Sequence, residues 1–315
     1  MSAPTEPSAA TERMDLLGAL IYGDVFDCAV TFDELWRYAG VAIDRDELRR
    51  RLHDDPVLSR IVVERAGLFC LDGRTALLDQ RPDRIRRARR LQRRARLVAR
   101  VLRHLPFVHG LVLTGSTSAD DAPEQADVDL LVIVAPDRLG TVFLLLGSTS
   151  RLLGRRLFCP NWYVREGCLA TTPTSLYIAR EFAQARSLVG SPDALRDANP
   201  WLSELFPNAV APPTLDRALK ASTRLQRLLE GSLRGTLGGR LEAWGRQVAG
   251  ARLRAHYEAL GLDVPAEVAA SFDAGLALRF HGYRYEERTL AAYAVRYAQV
   301  MDRLEQAERD PQFEL

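Results

Sequence analysis

From Ile85 through Ala88, Leu91, Ala95, Val98, Leu102 and Leu105, apolar residues return every three or four positions, which predicts a long amphipathic helix over 81–103. Beyond it the spacing changes. Residues 109–114 (HGLVLT) are rich in strand formers, and residues 128–134 are an apolar run interrupted by one acid, so each predicts a strand, the second one buried. Between them Gly115-Ser116-Thr117-Ser118 predicts a small-residue turn that opens a short helix. Residues 138–153 then predict a helix and 156–164 (RLFCPNWYV) a further strand.

The flanks are more helical. Residues 14–25 predict a first helix, and Thr31 with Glu34 three positions later has the capping-box spacing of a second. A third helix is expected from Asp44 through Leu52. Residues 60–71 then read as strand, turn at Gly67, strand. Three short helices followed by a two-stranded wing predict a winged-helix-like domain. Downstream, 173–189 and 192–199 read as helices, 207–213 as a linker, and 215–230, 241–260, 265–278 and 285–306 as an all-α C-terminal domain. The expected class is therefore α+β, in three successive parts. Residues 1–80 hold a disordered tail and the winged-helix-like domain, 81–192 the basic linker helix and a mixed-sheet core, and 193–315 a helical domain.

The sharpest chemistry lies in the core. Asp127 and Asp129 are two apart, and side chains two apart on a strand share a face, so two carboxylates are expected side by side at the end of a buried strand. Such a pair is costly without a counter-ion, and a hard divalent cation with oxygen ligands, Mg2+ or Mn2+, is the expected partner. A helix start at Gly115, Ser116, Thr117 and Ser118 would aim backbone N–H groups at an anion, which suits a triphosphate beside that metal. Asp120, Asp121 and Glu124 lie in the same stretch, and Asp120 and Asp121 are expected to be solvated loop charges.

The stretch LVLTGSTSADDAPEQADVDLLVIV resembles the signature of the polymerase-beta-like nucleotidyltransferase superfamily, a hydrophobic strand ending in Gly-Ser followed by Asp-x-Asp on the next strand. The whole chain is similar to bacterial nucleotidyltransferase-domain proteins that carry a small N-terminal domain and the downstream pattern Phe158-Cys159-Pro160-Asn161-Trp162-Tyr163. The resemblance implies a nucleotidyltransferase fold, with a nucleoside triphosphate as substrate and Asp127 and Asp129 as catalytic and metal-holding residues. It implies transfer of a nucleoside monophosphate to a hydroxyl of a small molecule or protein, with pyrophosphate leaving. It also implies a third carboxylate on a later strand, and here the chain departs. The polar residue in the middle of that segment is Asn161, an amide that can coordinate but cannot act as a base, and the first acid afterwards is Glu166. Both are low-ranking candidates for the third position. The departure keeps a second function in view, a catalytically degenerate nucleotide-binding sensor, and the N-terminal domain a third, a winged-helix regulator or scaffold.

Composition narrows the partners. At 315 residues, 47% hydrophobic and 27% charged, the chain has ample material for more than one core. No apolar run approaches the roughly 20 residues of a membrane span, and residues 1–13 lack the basic and apolar segments of a secretory signal, so a cytoplasmic protein is expected. Cys28, Cys70, Cys159 and Cys168 show no paired spacing and are expected as free thiols, and the five histidines form no cluster. The net charge of +2 hides eleven arginines against one acid over 81–103, a basic face that nucleic acid could use. Arg45, Arg49, Arg50 and Arg51 are interleaved with Asp44, Asp46, Glu47, Asp54 and Asp55, a poor electrostatic match for a duplex, so nucleic acid is not the favoured partner. Residues 279–284 concentrate polar and aromatic groups between two helices, either lining an acceptor pocket or forming an ordinary loop.

Overall fold

The structure is a computed structural model that describes residues 9–154, 157–171, 175–191, 193–209, 218–280 and 283–309. The fold is α+β. The chain divides into two compact units, one drawn from 1–83, 200–210 and 285–315, the other from 84–199 and 211–284.

The first unit runs α1 (Ala9–Val25), β1 (Val30–Thr31), α2 (Phe32–Arg37), α3 (Arg45–Asp54), a single turn α4 (Leu58–Ile61), β2 (Val62–Arg65) and β3 (Leu68–Leu71). Its three strands form an antiparallel sheet in the order β1-β3-β2. The hairpin between β2 and β3 turns on Ala66 and Gly67, both with positive φ, the backbone that matches strand twist in a two-residue loop. At α2 the expected capping box is formed in full: the Thr31 hydroxyl accepts from Glu34 N, and the Glu34 carboxylate accepts from Thr31 N at 2.7 Å. The arginines of α3 are engaged within the unit. Arg50 and Arg51 pair with Glu47, Arg45 pairs with Asp33, and Arg49 lies over the Phe32 ring.

Helix α5 (Ala76–Leu102) crosses from the first stretch of sequence into the second unit. From Arg84 onward its inner stripe is Ala88, Gln92, Ala95, Ala99 and Leu102, with Arg89, Arg90, Arg93, Arg94 and Arg100 exposed. Next come β4 (Val108–Leu113), the single turn α6 (Gly115–Ser118), β5 (Asp129–Val134), α7 (Leu139–Leu153), β6 (Cys159–Arg165), α8 (Leu176–Gln184) and β7 (Arg186–Val189). The chain continues through the single turns α9 (Ala194–Asp197) and α10 (Leu202–Leu205), then α11 (Arg224–Ser232), α12 (Thr236–Ala259), α13 (Ala266–Asp273), β8 (Ala277–Arg279) and α14 (Tyr283–Arg309). The five-stranded sheet has the order β7-β4-β5-β6-β8. Only β5 and β6 are parallel, joined through α7 as a parallel pair requires. Residues 130–134 of the central strand are all buried, which is why they read as an unbroken apolar run.

Helix α7 is held against α12 at close range. A Cβ on Gly140 would collide with the backbone of Arg246, and one on Gly245 with the backbone of Gly140, so glycine at both positions permits the approach. Glu242 of α12 is buried and accepts from Gly140 N, Thr141 N and Thr141 Oγ1, each at 2.8 Å. Its carboxylate thereby caps the otherwise unsatisfied first turn of α7.

Several expectations are corrected. Residues 186–189 (RSLV) are a strand on the sheet edge, not the end of a helix, because four residues are too few to show a period that separates the two. Residues 277–279 form a strand against β6, so the C-terminal part is not all helical. Nor is it a separate domain. Residues 218–280 belong with the sheet, whereas α14 belongs to the first unit, where Arg296 pairs with the buried Asp24 at 2.9 Å and Tyr293 packs on Tyr22. Helical periodicity marks which face is covered and is silent about what covers it. The tail 1–8 and linker residues 210–213 lie outside the described residues. Among the described residues no helix is long and apolar enough to cross a membrane.

Candidate functional site

Strand β4 delivers the chain to Thr114, whose N–H reaches Asp129 O at 3.1 Å and extends the pairing with β5. Gly115 follows with φ of +68, a left-handed conformation that favours glycine, and a Cβ there would sit 2.7 Å from Asp129 Oδ2. Close approach and backbone hand thus both require the glycine. The helix that opens here is one turn long.

Its hydroxyls turn inward. Thr117 and Ser118 are buried, with Thr117 Oγ1 donating to Asp127 O at 2.8 Å and Ser118 Oγ to Gly115 O at 2.7 Å. Of the four residues expected to cradle phosphate, Gly115 and Ser116 are the ones partly open to solvent, and Gly115 N donates to the Glu181 carboxylate at 3.1 Å. Thr117 instead fixes the backbone of Asp127.

The loop acids are anchored, not solvated. Asp121 is buried and takes a two-pronged ion pair from Arg84 of α5, while Asp120 receives Gln92 Nε2 at 2.8 Å and is paired with Arg186 of β7. The partners come from elements 28 or more residues away, so a local stretch of acids carries no sign of them. Together these bonds tie the loop to α5 and β7 and hold Asp127 at its end.

Asp129 is the first residue of β5, and Asp127 lies just before the strand. The parallel register sets Cys159 opposite Asp129. Asp127, Asp129 and Cys159 each offer a ligand atom, and these atoms all lie within 4.8 Å of one another. The register then shifts: Leu130 faces Pro160 but Leu131 faces Trp162, leaving Asn161 as the extra residue of a bulge. Pro160 has no N–H for the ladder, which places the irregularity there. The bulge directs Asn161 Nδ2 onto Asp129 Oδ1 at 2.7 Å.

One acid at the site has no motif in the sequence to mark it. Glu181 of α8 lies beside Asp129, and its neighbours Ile178, Ala179, Arg180, Phe182 and Ala183 are all buried. An acid on a helix covered on nearly every side is the one hint available. Burial pushes the Glu181 carboxyl up from its ordinary range, against the Gly115 N–H and the nearby Arg279 and Arg180, which draw it down. Asp129 is raised well above the usual carboxylate range, first by burial, then by the charges of Asp127 and Glu181.

Glu166 takes no part. It sits past the far end of β6, where its N–H bonds Val134 O at 2.8 Å and its carboxylate meets His109 Nδ1 at 2.8 Å. The length of β5, about 17 Å at 3.3 Å per residue, separates it from Asp129. Of the two candidates, Asn161 and not Glu166 contacts Asp129. Of the 279–284 segment, Arg279 lies over the Trp162 ring at 4.5 Å and Phe280 N bonds Asn161 O at 3.0 Å. His281 and Gly282 lie outside the described residues, as do the side chains of Tyr283 and Arg284.

The donor set suits a divalent cation. Two carboxylates supply hard oxygen ligands and the thiol a softer one, and a cation would relieve the part of the Asp129 elevation that comes, after burial, from the charges of Asp127 and Glu181. No family model, curated protein or solved structure matches the chain.

Proposed function

We propose that the second unit is a nucleotidyltransferase of the polymerase-beta-like kind, moving a nucleoside monophosphate from a triphosphate to an acceptor hydroxyl. The observation that carries the proposal is the convergence of Asp127 and Asp129, with Cys159, inside 4.8 Å beside the left-handed Gly115. Asp127 and Asp129 would hold Mg2+ or Mn2+, which supplies charge neutralisation for the triphosphate and acidifies the acceptor hydroxyl. The chain's own contribution is positional. Thr117 and the anchored loop fix Asp127, β5 fixes Asp129, and Gly115 leaves the space next to it clear. In the reaction the acceptor oxygen bonds the α-phosphorus, the bond to the bridging oxygen breaks, pyrophosphate leaves, and a carboxylate of the cluster takes the hydroxyl proton. The order of helices and the β1-β3-β2 sheet of the first unit support a winged-helix-like reading for it. The engaged arginines of α3 speak against duplex binding.

One observation favours a second reading. Asn161 occupies the position next to Asp129 where a third carboxylate is expected, and an amide accepts no proton. A nucleotide-binding sensor without turnover fits that substitution.

The test is pyrophosphate release by the purified chain with labelled nucleoside triphosphates, Mg2+ or Mn2+ and a small-molecule extract. Release that is lost in Asp127→Asn supports transfer. Triphosphate binding without release favours the sensor, and absence of triphosphate binding in the wild type overturns both.

A further inference from the structure

On the face of β6 that carries Cys159, Asn161 and Tyr163, the second unit contains a cavity of about 310 Å³. Helix α7 walls it through Phe143 and Arg151, α12 through Arg252 and His256, and Phe280 closes one side. The lining is aromatic in the middle: Phe143 stacks on Phe280 at 5.7 Å and meets the Tyr163 ring edge-on at 5.7 Å, and His256 stands edge-on to Phe280 at 6.1 Å. It is cationic at the side, where two arginines and a histidine face it and none of the described lining residues is an acid. The Tyr163 hydroxyl is fully buried and has no hydrogen-bond partner among the described residues. A buried hydroxyl without a partner is uncommon, and a ligand's polar atom would complete it. Cys159 and Asn161 line this cavity, and both also meet the carboxylate site: Asn161 Nδ2 bonds Asp129 Oδ1 at 2.7 Å, and Cys159 Sγ lies within 4.8 Å of the two carboxylates.

We propose that this cavity receives the acceptor, and that the acceptor is a small hydroxylated anion. Its apolar body, about one ring in size, lies among Phe143, Tyr163 and Phe280; its carboxylate or phosphate pairs with Arg151 and Arg252; its hydroxyl passes Asn161 toward Asp129. A volume near the lower end of the usual range for small-molecule sites, about 300 to 1,000 Å³, excludes a folded protein as the group that enters. The role of the hydroxyl rests on the transferase reading, in which its oxygen bonds the α-phosphorus, pyrophosphate leaves and the proton passes to a carboxylate; the binding of the anion does not.

The experiment titrates the intact chain with 4-hydroxyphenylacetate and with tyramine, which has a similar phenol but a positive charge. The anionic probe is expected to bind at least about tenfold more tightly, and the double variant Arg151→Ala, Arg252→Ala to lose about tenfold for it alone. Tyr163→Phe is expected to weaken the same probe about threefold or more without lowering the thermal midpoint, since it removes a hydroxyl that has no partner among the described residues. Ala255→Trp, an exposed position of α12 that lines the cavity, should displace the probe and leave the fold intact. Equal affinity for the two probes, or full affinity in the arginine variant or in Ala255→Trp, overturns the proposal. Binding of a non-hydrolysable triphosphate with Mn2+, measured separately, distinguishes the two readings. Anion binding without triphosphate binding leaves the cavity standing and sinks the transferase, whereas triphosphate binding without anion binding does the reverse.

Discussion

Asp129→Asn removes one negative charge from the carboxylate cluster and preserves its shape. In metal-free buffer at pH 8 the variant is expected to be more stable than the wild type. Asp127 and Asp129 offer oxygens no more than 4.8 Å apart, and two full charges at that distance repel by about 3 kcal/mol at an effective dielectric of about 20. Both side chains are partly open to solvent, so screening reduces what the substitution recovers to about 1–2 kcal/mol, or about 3–6 °C in Tm for a unit of this size. The contact from Asn161 survives, because an amide oxygen at 129 accepts from Nδ2 as the carboxylate does.

The pH dependence has a fixed sign. The folded-state pKa of Asp129 is raised, so the folded protein keeps its proton to higher pH than the unfolded chain does, and that stabilising difference is lost as pH rises through the folded value. Wild type and variant should therefore lie closest near pH 4 and diverge toward pH 8. Mg2+ acts in the opposite direction, raising the wild-type stability by about 2.7 kcal/mol at a hundredfold excess over Kd and leaving the variant nearly unmoved. Differential scanning calorimetry between pH 4 and 8.5, with and without Mg2+, reads all three effects. A metal-free variant less stable than wild type at pH 8, or an equal Mg2+ shift in both proteins, would refute the reasoning.

Three other substitutions probe the frame around the site. Glu242→Ala leaves the Gly140 and Thr141 N–H groups of α7 buried without their acceptor, an expected loss of about 3–5 kcal/mol by urea denaturation; less than about 1 kcal/mol would mean the cap is not structural. Asn161→Asp places a third carboxylate against Asp129, and is expected to lower metal-free stability by about 1–3 kcal/mol while raising Mg2+ affinity about tenfold by calorimetry. Unchanged affinity would show that position 161 does not face the cation. Thr31→Ala should cost about 1 kcal/mol in thermal unfolding through loss of the cap on α2, with Thr31→Ser retaining most of it.

The features legible in the amino-acid sequence are the ones written locally. The box at Thr31 and Glu34 needs four residues, and the run around Asp129 announces a buried strand because all of its later residues are apolar. The features that are not legible depend on pairings across the chain. Glu181 meets Gly115 across 66 positions, and Cys159 comes beside the two aspartates only through the parallel register of β5 and β6. Asp120 and Asp121 look solvated in a polar loop until α5 and β7 bring Arg84 and Arg186 to them. The basic helix shows the same limit from the other side. Arg84 and Arg87 turn inward, to Asp121 and to Ala122 O, whereas Arg89, Arg90, Arg93 and Arg94 stay exposed, and one run of arginines in the sequence contains both kinds.

The bulge at Asn161 connects the two halves of the proposed chemistry. An aspartate there would put a third acid 2.7 Å from Asp129, in a cluster where burial, and after it Asp127 and Glu181, already raise the Asp129 carboxyl. An amide donates a hydrogen bond to that carboxylate instead and adds no charge, so the cluster holds together with fewer cations than three aspartates would need. On the proposed reading the cost is weaker electrostatic attraction for a hard metal, and Cys159 offsets part of it with a ligand that favours softer ions once its proton is displaced. The same donor set therefore ranks Mn2+ above Mg2+. Because Asn161 also lines the adjoining cavity, on the proposed reading its amide is the group through which acceptor and metal would sense each other.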